Sequence, residues 1–211
     1  IHLSGSGIDP EEFESPDILL ARRRLGFEGP FVLSMTSHCF DRGTGHLLEA
    51  SKALWKAGFD FTLVLAGPVA PGFAADLDAM MWDVPPGRLV LTGYIEQGAR
   101  AGMIAAAELV ALPSRLDCFG IILLEAWACG RPVIGSWAGA MPDLVDDGRN
   151  GFLVSFGDVA TLADRMSRLL SDPGRRDAMG REGRAMVLRE RTWRTVTDRF
   201  YRRAAECTSW E

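Results

Sequence analysis

Short apolar runs and helix-patterned segments alternate along this chain six times, and that alternation constrains the fold more than any other feature. The runs are Phe31-Val32-Leu33, Phe61 to Ala66, Leu89-Val90-Leu91, Leu109 to Leu112, Val133-Ile134 and Phe152-Leu153-Val154. Each is short and apolar on both faces, as strands buried on both sides of a parallel sheet are. Between them, apolar residues recur at helical spacing. Asp17 opens a helix that Gly26 stops, and Leu47, Leu48, Leu54 and Trp55 mark a second that ends near Gly58. Phe73 to Trp82 reads as another helix, with Met80-Met81-Trp82 as core or lid. Asp158 caps a strongly amphipathic helix that Pro173 ends, and helical stretches at about 175–190 and 192–206 close the chain. Six strands alternating with helices predict an α/β, Rossmann-like, doubly wound six-stranded parallel sheet with helices on both faces.

Composition narrows the class. The chain has 211 residues, 47% hydrophobic and 24% charged, with a net charge of −5, as expected of a globular domain with no general affinity for nucleic acid. No apolar run is long enough to span a bilayer. Cys39, Cys118, Cys129 and Cys207 form no C-x-x-C pair. They read as reduced thiols of a cytoplasmic protein, with no metal site. Arginines far outnumber acidic residues between Arg175 and Arg203. This run is either a solvated helix face or a surface toward anionic lipid or another domain.

The chemistry concentrates in Leu112 to Pro132, LPSRLDCFGIILLEAWACGRP. A strand ends at Pro113-Ser114, a polar loop carries Asp117 and Cys118, and Phe119-Gly120-Ile121 open a helix that bears Glu125 about two turns on. The first amides of such a helix have no internal acceptor and favour an anion. Two carboxylates beside an anion hole suit a ligand with both hydroxyls and phosphate. The bland alternative is an Asp N-cap with a buried, paired Glu.

The run Pro113-Ser114-x-x-Asp117-x-Phe119-Gly120-x-x-x-x-Glu125-Ala126-x-Ala128-x-Gly130-x-Pro132-Val133 resembles the signature of the retaining glycosyltransferases of family 4, with the GT-B fold. The family pattern is Glu-x7-Glu, and here it reads Asp-x7-Glu. The resemblance implies that Asp117 faces the donor sugar and Glu125 holds the nucleotide ribose. It implies two cations for the donor diphosphate in the loop after the first strand. By register Arg42 stands for the Lys and Gly43 for the following Gly, while the Gly-Arg pair falls on Thr36-Ser37. One charge is therefore missing at Ser37. Either donor binding is weaker, another residue such as His38 supplies charge, or the chain is not an ordinary catalyst. Tyr94, after the strand that resembles the family's Val-x-Phe-x-Gly segment, lies near the base or packs structurally. Gly139 lies in a loop similar to the family's Gly-Gly-x-Pro-Glu and brings backbone amides to the donor. With these go the amides of Phe119, Gly120 and Ile121, and Cys118 beside them.

The resemblance implies a nucleotide-diphosphate sugar as donor, an acceptor glycan, lipid or small molecule, and no cofactor or metal. It also divides the chain. Residues 1–16, with Gly7-Ile8-Asp9-Pro10-x-x-Phe13, resemble the segment that links the two GT-B halves. Residues 17–190 form the nucleotide-sugar-binding domain. Residues 191–211 form a helix that crosses back to an N-terminal half, which the opening at Ile1 suggests is missing. On this reading the chain is cytoplasmic, with peripheral contact at the inner membrane face left open by the arginine run. Two rivals are a non-catalytic binding or assembly module and a GT-B phosphorylase. A nicotinamide-binding domain is disfavoured, because no Gly-x-Gly-x-x-Gly follows the first strand.

Overall fold

The computed structural model describes residues 6–208; the side chains of residues 207 and 208, and with them the Cys207 thiol, are not described. The strands are β1 (Phe31–Met35), β2 (Thr62–Ala66), β3 (Leu89–Gly93), β4 (Leu109–Ala111), β5 (Val133–Ser136) and β6 (Gly151–Val154). The helices are α1 (Ile18–Leu25), α2 (Thr44–Lys56), α3 (Pro71–Met80), α4 (Gln97–Ala106), α5 (Ile121–Ala128), α6 (Val159–Ser171), α7 (Pro173–Glu190) and α8 (Trp193–Thr208). All six strands are parallel and lie in the order β3-β2-β1-β4-β5-β6. The expected sheet is therefore present, with every strand where an apolar run stands.

Strand alternation builds the two halves of the core. Phe31, Leu33, Val64, Ala66 and Val110 point to one face and pack with Met103, Ile104, Leu123, Leu124 and Trp127 of α4 and α5. Val32, Leu63, Leu65, Leu109 and Ala111 point to the other and meet Leu47, Leu48, Phe73, Leu77, Leu162 and Met166 of α2, α3 and α6. Burying a Leu or Phe on either face stabilises by about 1.5–3 kcal/mol, so both faces must be covered.

Local signals set the helix ends. The Asp17 carboxylate accepts from the Leu20 amide at 2.8 Å, and Gly26 closes α1 at φ 74°. Asp17→Ala is expected to cost about 1 kcal/mol of stability, measured by urea unfolding. The cap contributes nothing if the variant unfolds at the wild-type midpoint. Asp158 caps α6 in the same way through the Thr161 amide at 2.9 Å. The Met80-Met81-Trp82 expectation fails at its end. Because α3 stops at Met80, Trp82 is 91% exposed and lies outside the core.

The chain's entry and exit are tied together. The Ile8 amide donates to the Arg191 carbonyl at 2.9 Å, and the Trp193 amide to the Ile8 carbonyl at 3.0 Å. Ile8 and Phe13 are buried in the core under α4 and α5. Two arginines of the run, Arg176 and Arg184, cap helix ends, where cations are favoured. Arg176 donates to the Leu169 and Leu170 carbonyls at the end of α6, and Arg184 to Ala128 at the end of α5. On α8, Val196 is buried, whereas Trp193 and Phe200 are exposed.

The order of the strands places the site. From β1 the chain winds outward to β2 and β3, then returns to β4 and winds the other way. The loops leaving the carboxyl ends of β1 and β4 therefore diverge and leave a crevice between them, the usual ligand position in such sheets.

Candidate active site at the sheet switch point

Two adjoining clefts open at that crevice. One, about 330 Å³, is lined by Thr36, Arg42, Arg100, Asp117, Phe119 and Ile122 among others. The other, about 170 Å³, is lined by Met35, Thr36, Gly67, Tyr94, Ile95 and Arg100 among others. A larger cavity of about 480 Å³ lies at the opposite, amino ends of the strands, near Pro30, Phe61 and Glu108. Its charged pair, Arg176–Glu108 at 2.8 Å, is already closed, and Arg176 also holds two helix carbonyls. Volume favours that cavity, but topology and open chemistry favour the crevice.

Asp117 sits at the centre of the crevice. Its Oδ1 accepts from the Phe119 and Gly120 amides, at 3.1 and 2.6 Å. Its Oδ2 accepts from Arg42 Nη1 at 2.7 Å. The amides expected to meet an anion are thus filled, at Phe119 and Gly120, by the protein's own carboxylate. Ile121 and Ile122, in the first turn of α5, keep amides without intrahelical acceptors. Gly120 stands at φ 60°, where a Cβ would come within 2.8 Å of Leu144. Cys118 and Phe119 are exposed on the cleft wall.

Glu125 is the one charged residue of α5, a helix buried along most of its length. Burial raises its pKa, and the Arg100 guanidinium opposes that rise. Arg100 Nη2 lies 2.5 Å from Glu125 Oε2, while its Nε is buried without a partner. Arg100 was not expected from the sequence. The signal was there, since it is the lone charge in α4, among the buried Ala99, Gly102, Met103 and Ile104. A single cation on an otherwise small and apolar helix must find an anion.

The remaining expected residues divide clearly. Arg42 is in the cleft, but it is held by Asp117 and not free. Neither Gly43, which is buried, nor Gly139, which is exposed, lines either cleft. A Cβ on Gly43 would overlap the Pro113 carbonyl, and one on Gly139 the Asp117 carbonyl. Their small size lets these loops come together. Tyr94 borders the smaller cleft and is 79% exposed. Ser37 is exposed on the loop after β1 and lines neither cleft, which its neighbour Thr36 does. His38 does not supply the missing charge. It is fully buried, its Nδ1 lies 3.2 Å from Thr44 Oγ1, and burial pushes its pKa down to about 4. Among the described residues, no cluster of His, Cys, Asp and Glu is placed to hold a metal ion. No helix among them is long and apolar enough to cross a membrane. Burial pushes the Cys129 thiol up to about 12, so this cysteine stays protonated and inert.

The glycosyl transferases group 1 family matches residues 30–172, a span that runs from just before β1 to the end of α6. The chain belongs to that family. It is 32% identical over 207 residues to a GDP-mannose-dependent monoacylated alpha-(1-6)-phosphatidylinositol monomannoside mannosyltransferase of Corynebacterium glutamicum, covering 92% of this chain and 53% of that protein. It is 42% identical over 185 residues to a D-inositol 3-phosphate glycosyltransferase of Actinosynnema mirum, covering 82% and 44%. The chain therefore spans about half the length of the curated relatives it matches. In structure it is similar to Anabaena HepE in complex with UDP, with TM-score 0.84 and 24% identity, over 95% of this chain and 56% of that one. It is also similar to the C-terminal domain of a glycosyl transferase group 1 family protein of Francisella tularensis, with TM-score 0.80 and 23% identity, over 89% of this chain and all of that one. Both neighbours share the fold. The expected family resemblance and the Rossmann-like, six-stranded parallel fold both stand.

Proposed function

We propose that this chain is the donor-binding half of a retaining glycosyltransferase, and that the nucleotide-diphosphate sugar lies across the two clefts at the switch point. The observation that carries this reading is the pair of arginine–carboxylate couples, Arg42–Asp117 and Arg100–Glu125, at one crevice beside the start of α5. Carboxylates accept from sugar and ribose hydroxyls, and arginine forks and helix amides stabilise a leaving diphosphate. In this reading Glu125 takes the ribose, Asp117 and Arg42 face the sugar and its phosphate, Ile121 offers its amide, and Tyr94 flanks the base. Cys118 and Phe119 shape the wall. Gly43 and Gly139 hold the loops, and Ser37 lies outside the contact. No metal is assigned a role. The residues before Asp17 and the exposed apolar face of α8 would join an N-terminal half that brings the acceptor. The relatives' names point to inositol phosphates and inositol lipids as an acceptor class to test first. A cytoplasmic enzyme fits the unpaired thiols of Cys39, Cys118 and Cys129.

The test is calorimetric titration of the chain with UDP, GDP, ADP and their sugar conjugates. One nucleotide is expected to bind, and Glu125→Ala to weaken it by about 10- to 100-fold, the worth of a charge-assisted hydrogen bond to ribose. Absence of binding to all three nucleotides would overturn the donor reading.

A further inference from the structure

We infer that Arg100 is a diphosphate ligand of the donor site, and that donor binding exchanges the partners of the crevice's two ion pairs. The inference deepens the proposed function and rests on it. Four observations carry it.

The first is position. Arg100 lines both clefts, the one that Tyr94 borders and the one that holds Arg42 and Asp117. A nucleotide sugar with its base in the first and its sugar in the second must pass its diphosphate between them, beside Arg100. The second is an open donor. Arg100 Nε is buried and has no hydrogen-bond partner, and an unmade buried donor is costly until a ligand completes it. The third is access. The Arg100 side chain is 38% exposed whereas Glu125 is 9% exposed, so the arginine is the member of the pair that can turn toward a ligand.

The fourth is charge balance. Without donor, both arginines that line the crevice are neutralised, Arg42 by Asp117 at 2.7 Å and Arg100 at 2.5 Å by Glu125, which is buried and lines neither cleft. A diphosphate entering that arrangement meets as much negative as positive charge. Binding becomes favourable when the guanidinium forks turn to phosphate oxygens and the freed carboxylates accept from hydroxyls. Each group then trades one charge-assisted partner for another, and no buried charge is left alone. Arg100 would thus restore on α4 a second cation that the loop after β1 does not carry, since Ser37 is uncharged and His38 is buried and neutral.

The experiment compares UMP with UDP and GMP with GDP on the 211-residue chain by calorimetry. In the wild type the second phosphate is expected to tighten binding about tenfold or more. In Arg100→Gln that gain should fall below about threefold, while affinity for the nucleoside monophosphate changes little. Arg100→Lys, which keeps a charge opposite Glu125 and so guards the fold, should recover part of the gain. Inorganic pyrophosphate gives the complementary readout. It should bind Glu125→Ala several-fold more tightly than the wild type, because nothing then competes for Arg100. A full second-phosphate gain in Arg100→Gln, with UDP or GDP still bound, would overturn the assignment of Arg100 and leave the donor reading intact. Equal weakening of mono- and diphosphate, in step with a lowered melting temperature, would make Arg100 a structural partner of Glu125 only. A wild type that binds neither diphosphate would overturn the donor reading, and this inference with it.

Discussion

Gly139→Ala is expected to cost about 3 kcal/mol of stability and to remove the proposed nucleotide binding with it. Two separate costs meet at this residue. Its φ is 57°, in the left-handed region, where an alanine is strained by about 1 kcal/mol. A Cβ there would also overlap the carbonyl of Asp117, the same oxygen that accepts from the Ala140 amide at 3.1 Å. Overlap with a backbone atom cannot be relieved by turning a side chain, so the loop before Met141 must lift away from the loop that carries Asp117. When that loop moves, the Arg42–Asp117 pair and the Asp117 cap on Phe119 and Gly120 move with it. Gly148→Ala is the control, because Gly148 also has a positive φ, of 86°, but open space around it. It should lose only the strain, about 1 kcal/mol. Urea unfolding of both variants decides the matter. Equal losses would show that the contact with Asp117 is not what requires glycine.

The second large effect is acid destabilisation centred on His38. Burial lowers its pKa from 6.5 to about 4, with only a smaller opposing influence from the Ala66 backbone. The unfolded chain therefore binds a proton at a pH where the folded chain does not. His38 leaves stability unaffected above pH 6.5, and its contribution is lost as pH falls from 6.5 toward 4. Integrated over that window the loss is about 3 kcal/mol, at about 1.4 kcal/mol per pH unit in its middle. His38→Gln offers a hydrogen-bonding group to Thr44 but cannot titrate. Its stability should fall less than the wild type's between pH 6.5 and 4, by about that amount. Parallel pH profiles for the two proteins would show that His38 is charged in the folded state.

Most of the architecture was legible because its causes are local. A run such as Phe61 to Ala66 is apolar at successive positions, and a strand alternates its side chains across a sheet. Such a run can be buried only with helices on both faces, and the two halves of the core show that it is. Asp17, Asp158 and Gly26 act within one turn of where they stand, so their roles as caps could be read directly. Trp82 falls outside the core because a helix pattern does not specify its last turn, and Trp82 stands two residues past the end of α3.

The site was legible in its location and less so in its connections. Sequence alone determined that Asp117 and Glu125 flank the start of one helix, because eight positions of chain separate them and the local geometry of loop and helix follows. It also placed Arg42 and Tyr94 on loops at the carboxyl ends of strands. Only the tertiary structure decided which charge meets which. Arg42 reaches Asp117 because β1 and β4 are neighbours in the sheet, although the residues are 75 apart in sequence. Arg100 reaches Glu125 because α4 and α5 cover the same face of that sheet. Likewise, the close approach of Gly43 to Pro113 and of Gly139 to Asp117 joins segments far apart in sequence, which no local pattern announces. Periodicity is a property of one segment, whereas a buried charge takes its partner from whichever segment the topology brings within reach.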